Sequence, residues 1–367
     1  MISIVFCGDI RRCPYLLRYT ERLENAKVEY EVLFWNRGAL KPNLAANYKY
    51  FDKPSAEDLK KIRKLFDFWE FRRWVNKQLS RSKPNGIIFL STLCGVLLWD
   101  VAKEYKNRYI FDIRDYSYEN KGIFRQVEKK IIADSFFTTI SSKGFHAFLP
   151  DYDYVVAHNF NRNDMVKQFS FVRQQEPYQI VWNGVIRFFD YQKQFLDLFK
   201  NDSRFLLVYH GEGAALENYI TYCSENEINN VKFTGLYDNR DKLKLVRDAS
   251  FLNNCYGDGN DDALKYAISN RFYDGLIYHI PQIVDNDGYK AMETKRLGVG
   301  LRVEPTKDLP EILYQYYNSL DIKVFNEACK KALEEIIAED DLFIHKIDEF
   351  ISTISKQTNN LPILQSL

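Results

Sequence analysis

Ser269-Asn270-Arg271-Phe272-Tyr273-Asp274, followed by Ile280-Pro281-Gln282-Ile283-Val284, holds the residue types and spacing best suited to chemistry in this chain. It reads as a small polar cap, a helix with an acid one turn in, and a Pro-led buried strand. A helix N-terminus offers unpaired N–H groups and the positive end of its dipole, which suits a diphosphate. The Asp274 carboxylate can accept both hydroxyls of a ribose. Together, Ser269, Asn270, Arg271, Phe272 and Asp274 would bind a nucleotide diphosphate.

Other loops at strand ends carry polar residues. Asn183-Gly184-Val185-Ile186-Arg187 is a glycine turn with a basic end, and Lys193 lies further along the next helix. An Arg fork pairs with phosphate oxygens and stabilises a departing nucleotide. An ordinary surface Arg is the other reading of Arg187. His210-Gly211-Glu212-Gly213-Ala214 lacks the third glycine of a dinucleotide fingerprint. Gly211 and Gly213 permit backbone approach to a nucleotide, or simply make a tight turn. Gly8-Asp9 closes the first strand, where backbone could approach a ligand. Asp112 and Asp115 flank Arg114, and either could accept a hydroxyl proton. Asp115, further beyond the strand, is preferred; an internal Asp–Arg pair is the alternative.

These residues need a scaffold of alternating strands and helices. Strands are expected at Ile2–Cys7, Tyr30–Trp35, Gly86–Leu90, Tyr109–Ile113, Phe136–Ile140 and Tyr154–Ala157. The second half repeats the pattern at Tyr178–Trp182, Phe205–Tyr209, Val231–Thr234, Phe251–Asn254, Pro281–Val284 and Gly300–Val303. Helices are expected between them, including Ala56–Ser80, Gly95–Tyr105, Asp241–Asp248 and Asn270–Tyr278, and from Asp308 to about Ser355. At 367 residues the chain exceeds one ordinary core. The expected division is 1–170, 171–340, and a C-terminal helix and tail at 341–367 that packs back on the first domain.

The order of four segments resembles the GT-B glycosyltransferases, in particular the retaining glycosyltransferase family 4 enzymes of bacterial polysaccharide synthesis. The segments are Ile110-Phe111-Asp112-Ile113-Arg114-Asp115-Tyr116, Thr139-Ile140-Ser141-Ser142 with His158-Asn159, Phe233-Thr234-Gly235, and residues 269–284. The resemblance implies an α/β GT-B architecture, with two Rossmann-like parallel-sheet domains facing across a cleft. It implies an acceptor-side first domain with Gly8 and Asp9, and a donor domain with Gly184, Lys193, Gly211, Gly213 and Tyr237 beside the 269–274 helix. Asp115, Arg187 and Arg271 take the catalytic roles it implies. The base edge would be read by backbone, so the nucleobase stays open. The family often carries a Glu-x7-Glu pair; here Asp274 takes the second position and Tyr266 the first. Asp258, Asp261 or Asp262 could supply the missing carboxylate.

Composition is globular: 46% hydrophobic and 28% charged. The net charge of +1 hides an asymmetry, because residues 1–170 hold 29 Lys and Arg against 20 Asp and Glu. The six cysteines form no CxxC pair and the five histidines no HxH or HxxxH, so no metal and no cofactor is expected. Asp151-Tyr152-Asp153 follows a proline and reads as a turn. The first residues show no basic leader, and the longest apolar run, 86–99, is too short to span a bilayer. Lys60 to Lys83 holds nine basic residues against two acids, interleaved with Phe and Trp. Lys60, Lys61, Arg63, Lys64, Arg72 and Arg73 suit an anionic membrane surface; a solvated face over a buried aromatic stripe is the alternative. No nucleic-acid motif is present. The expected protein is a cytoplasmic transferase, peripheral at the inner face of a bacterial membrane. It would move a sugar from a nucleotide diphosphate, UDP-linked, to a glycan or polyprenyl-linked acceptor. A non-catalytic partner subunit, a glycan-binding module and a nucleotide-sugar epimerase are the competing readings.

Overall fold

The computed structural model describes residues 1–38, 44–54, 61–160, 162, 165, 168–257, 259 and 261–359. They form two compact units: Met1–His158 with the chain from Ala338 onward, and Asn159–Ile337. The first unit therefore ends before position 170, because Phe169 and Phe171 pack into the second unit's core.

The first unit holds β1 (Ile2–Phe6), β2 (Tyr30–Asn36), β3 (Tyr48–Asp52), β4 (Gly86–Leu90), β5 (Tyr109–Ile113), β6 (Phe137–Ile140) and β7 (Val155–Val156). They make one sheet in the order β3-β2-β1-β4-β5-β6-β7, every neighbouring pair parallel. All residues of β1, β4, β5 and β6 are buried. A parallel sheet covered on both faces requires such continuous apolar runs. The half-exposed edge strand β3 was not expected. The single helix expected at Gly95–Tyr105 is two, Thr92–Leu97 and Trp99–Glu104. Ser91 opens the first of them at φ 94°, its Oγ accepting the Cys94 N–H at 3.3 Å.

The second unit holds β8 (Tyr178–Asn183), β9 (Phe205–His210), β10 (Val231–Phe233), β11 (Phe251–Asn254), β12 (Gln282–Asp285) and β13 (Gly300–Val303). Its sheet is also parallel, in the order β10-β9-β8-β11-β12-β13. Helices Asp262–Lys265 and Tyr289–Leu297 add to those expected. Both sheets have the doubly wound Rossmann arrangement.

The last helix, Ile322–Asn359, supplies both cores from one amphipathic stripe. Phe325, Cys329, Ala332 and Ile336 join the second core, and Phe343, Ile347, Phe350, Ile351 and Ile354 the first. Polar contacts fix its later turns within the first unit. Glu339 takes Lys143 and His158, Asp340 pairs with Arg18, and Asp348 accepts Arg22 Nε at 2.8 Å.

Candidate functional site

In the second unit β8 pairs with both β9 and β11, so the winding direction reverses there. The carboxyl ends of β8 and β11 form the crevice in which doubly wound sheets hold ligands. Asn183 ends β8, and Asn253-Asn254 ends β11. The helix Asn270–Ile277 begins at the same edge. Ser269 caps it, with Oγ accepting the Phe272 N–H at 3.3 Å and donating to Asn254 Oδ1 at 2.7 Å. The cap leaves the earliest N–H groups of the helix for another acceptor.

Arg271 is only 5% exposed, and its guanidinium turns inward. Nη2 donates to the Asn183 carbonyl at 2.8 Å, Nη1 to the Asn253 carbonyl, and Nε to Asn183 at 3.2 Å. The guanidinium carbon lies 3.8 Å from the centroid of the Trp182 ring. Burial pushes its pKa down, against the pull of Tyr256 and Asp274. Arg271 thus ties the ends of β8 and β11 together, with all three guanidinium nitrogens donating to backbone carbonyls.

Asp274, 4% exposed, has both oxygens engaged. Lys242 Nζ lies 2.8 Å from Oδ1, and Asn183 Nδ2 donates to Oδ2 at 3.0 Å. Half-buried Tyr237 stands in the same group, its pKa raised first by burial and then by the Asp274 charge. Asn183, Tyr237, Lys242, Arg271 and Asp274 are therefore one polar cluster at the switch point. Sequence reasoning missed Asn183 as a side chain and missed Lys242 altogether. The only signal for Asn183 was its place as the last residue of a buried strand; Lys242 gave none.

Arg187 is exposed on the loop after β8, its guanidinium 4.6 Å from the Phe188 ring, and among the described residues it makes no ion pair. Its charge reaches Arg271, whose pKa it lowers further. Asn270 is also exposed and accepts from Asn159 Nδ2 at 2.7 Å. Lys193 Nζ lies 3.8 Å from Asp190 on its own helix. Phe272 is a core residue at 3% exposure, since the inward face of its helix must pack on the sheet. Gly211 and Gly213 serve backbone packing: a Cβ on Gly211 would lie 2.0 Å from the Gly184 carbonyl, and one on Gly213 2.2 Å from that of Ile186. Gly184 itself sits at φ 123°.

Of the carboxylates offered in place of the residue at Tyr266, Asp261 caps its own helix by accepting the Ala263 N–H at 2.8 Å. Asp262 is exposed, and Asp258 lies outside the described residues. Asp285 instead orders the loop after β11, accepting the N–H groups of Tyr256 at 2.7 Å and Gly257 at 3.0 Å. Lys290, 1% exposed, sits 3.9 Å from the Tyr256 ring centroid.

In the first unit, Asp112 is fully buried and forms an internal pair with Arg114, at 2.6 and 2.8 Å, plus a 2.7 Å bond from Tyr19. Asp115 is exposed on the following loop. Asp9 accepts the Arg11 N–H at 3.1 Å and its Nε at 2.9 Å, and Arg11 holds its carboxyl below the usual range. On the helix Lys61–Ser82, Phe71, Val75 and Leu79 face the core, whereas Leu65, Phe66 and Trp69 are exposed. Arg72 pairs with Asp100 at 2.8 Å; Arg73 covers Trp69 and Arg63 is exposed. Lys60 lies outside the described residues. No group of three or more His, Cys, Asp or Glu able to hold a metal occurs among the described residues, and no described helix is long and apolar enough to cross a membrane.

The two Rossmann-like units have the GT-B fold. The structure is similar to that of a sucrose-phosphate synthase from Thermosynechococcus elongatus, with a TM-score of 0.69 over 98% of both chains at 11% identity. It is similar to HepE from Anabaena in complex with UDP, with a TM-score of 0.67 at 13% identity, over 95% of this chain and 99% of that one. The lipopolysaccharide outer core galactosyltransferase WaaB gives 0.61 at 15% identity, over 96% and 99%. No protein-family model and no curated protein sequence matches the chain.

Proposed function

We propose that this protein is a glycosyltransferase that uses a nucleotide diphosphate sugar. The observation that carries the reading is the polar cluster of Asn183, Lys242, Arg271 and Asp274 at the switch point of the second sheet, beside an Asn270–Ile277 helix whose N-terminus faces the same edge. A diphosphate accepts from the first-turn N–H groups and from Arg187, an exposed base whose charge reaches Arg271. Arg271 contributes by holding the two strand ends in place and by its field. Asp274, oriented by Lys242 and Asn183, is the acceptor for the ribose hydroxyls. The UDP and UDP-glucose complexes of HepE support a uridine donor.

In the transfer, an acceptor oxygen bonds to the anomeric carbon, and the bond from that carbon to the diphosphate oxygen breaks. The leaving nucleotide keeps the electron pair, and Arg187 and the helix dipole stabilise its charge without a metal. Asp115, exposed after β5, is the candidate to take the acceptor proton. Retention at the anomeric carbon, a hexosyl donor, a bacterial surface-glycan pathway and work at the inner membrane face complete the proposal. Exposed Leu65, Phe66 and Trp69, beside Arg63 and Arg73, support the membrane contact.

The test is incubation with UDP-glucose, UDP-galactose and UDP-N-acetylglucosamine, following release of UDP. Release that Arg187→Ala slows a hundredfold supports the reading. If none of the donors turns over and none binds, the fold serves as a non-catalytic partner.

A further inference from the structure

A second pocket, wholly within the first unit, has the makings of an anion site. It is a cavity of about 850 Å³ at the carboxyl ends of β1 and β2, and it reaches Leu93 just after β4. The winding of the first sheet reverses between β1 and β4, so this is that sheet's own switch point. Among the described residues that line it are Arg11, Arg12, Arg37 and Lys64, with one carboxylate, that of Asp9, which accepts from Arg11.

Arg37 is the telling residue. Its guanidinium carbon lies 4.1 Å from the Trp35 ring centroid and 5.4 Å from that of Phe68, two rings that meet edge to face. Nη2 reaches the Cys7 carbonyl at 3.4 Å and the fork also meets the Cys7 side chain, whereas Nε is buried and makes no hydrogen bond among the described residues. The aromatic rings shield the fork from water on that side, and a buried Nε–H without an acceptor costs free energy until one is supplied. A carboxylate or phosphate is the group whose geometry meets an Arg fork.

We propose that this pocket binds a phosphate-bearing ligand, and that Arg37 and Lys64 are its principal contacts. Resting on the transferase reading, that ligand is the anionic end of the acceptor. Phosphate could come from a soluble glycan phosphate or from a lipid diphosphate. Leu65, Phe66 and Trp69, 70%, 56% and 47% exposed, adjoin Lys64 and Phe68 at the rim, where a lipid chain would leave the pocket.

The test is calorimetry of inorganic pyrophosphate and of farnesyl diphosphate on the full chain saturated with UDP, which removes competition from the second unit. Wild type should bind both. Arg37→Gln and the rim variant Lys64→Gln should each weaken binding about tenfold, the loss expected of one charge-assisted contact. Farnesyl diphosphate binding at least tenfold tighter than pyrophosphate identifies a lipid source; equal affinities identify a soluble phosphate. Wild type binding neither probe, or both pocket variants binding as well as wild type, would overturn the proposal. If UDP itself fails to bind while pyrophosphate binding still depends on Arg37, the anion pocket stands and the transferase reading falls.

Discussion

Lys242 Nζ and Asp274 Oδ1 are 2.8 Å apart, with the lysine side chain 19% and the aspartate 6% exposed. An acid chosen from sequence for its place on a helix is thus half of an ion pair with a residue from a different helix. Removing one partner of such a pair leaves the other charge buried and uncompensated. Lys242→Met should cost about 3 kcal/mol, as expected for a broken buried pair. Urea denaturation gives the value directly. A loss below about 0.5 kcal/mol, ordinary for an exposed pair, would mean that solvent already screens the carboxylate.

Glycines in the second unit separate by what surrounds them. Gly211 lies at φ 133° with the Gly184 carbonyl 2.0 Å from its would-be Cβ, whereas Gly235 lies at φ 75° with open space around it. Gly211→Ala should therefore lose about 3 kcal/mol, from strain plus overlap, and Gly235→Ala about 1 kcal/mol, from strain alone. Equal losses in thermal melts would contradict this ordering.

The elements were more legible than the site. Buried parallel strands are continuous apolar runs, so Gly86–Leu90, Tyr109–Ile113, Phe251–Asn254 and Gly300–Val303 coincide with the strands expected. Tyr48–Asp52 escaped because an edge strand with Lys49 and Asp52 lacks that signature, and Tyr289–Leu297 because so few of its residues are apolar. Within the site, Ser269 announces its cap locally. The pairing of Asp274 with Lys242, 32 residues away, and the inward turn of Arg271 depend on sheet order, which no local pattern encodes.

Glu128 should make stability depend on pH. It is fully buried with neither carboxyl oxygen hydrogen-bonded among the described residues, and burial pushes its pKa up to about 8, with a smaller push from Glu119. A folded pKa above the unfolded value means the native state binds the proton more tightly. The stabilisation is complete below about pH 4.5 and is lost as pH rises through 8. Glu128→Gln should flatten that decline and melt above wild type at pH 9. Parallel melting curves for the two proteins from pH 5 to 9 would show that the carboxyl is solvated.

The C-terminal helix should be essential to the first unit. Phe343 is fully buried, edge-on to Tyr19 at 5.7 Å and beneath Arg18 at 4.6 Å. Phe343→Ala should destabilise the first unit by about 4 kcal/mol through lost burial and the cavity left behind. Limited proteolysis should then cut within residues 1–158 before 159–337. The reverse order of cutting would contradict this.

Titration of the purified protein with UDP, GDP, CDP and ADP, beside Arg187→Ala and Asp274→Asn, tests the central claim most directly. UDP should bind best of the four. Arg187→Ala should weaken it at least tenfold through the lost phosphate contact. Asp274→Asn should weaken UDP more than it weakens pyrophosphate, because the carboxylate serves the ribose. No binding by any nucleotide, or UDP binding that neither substitution changes, would contradict a donor site at the ends of β8 and β11.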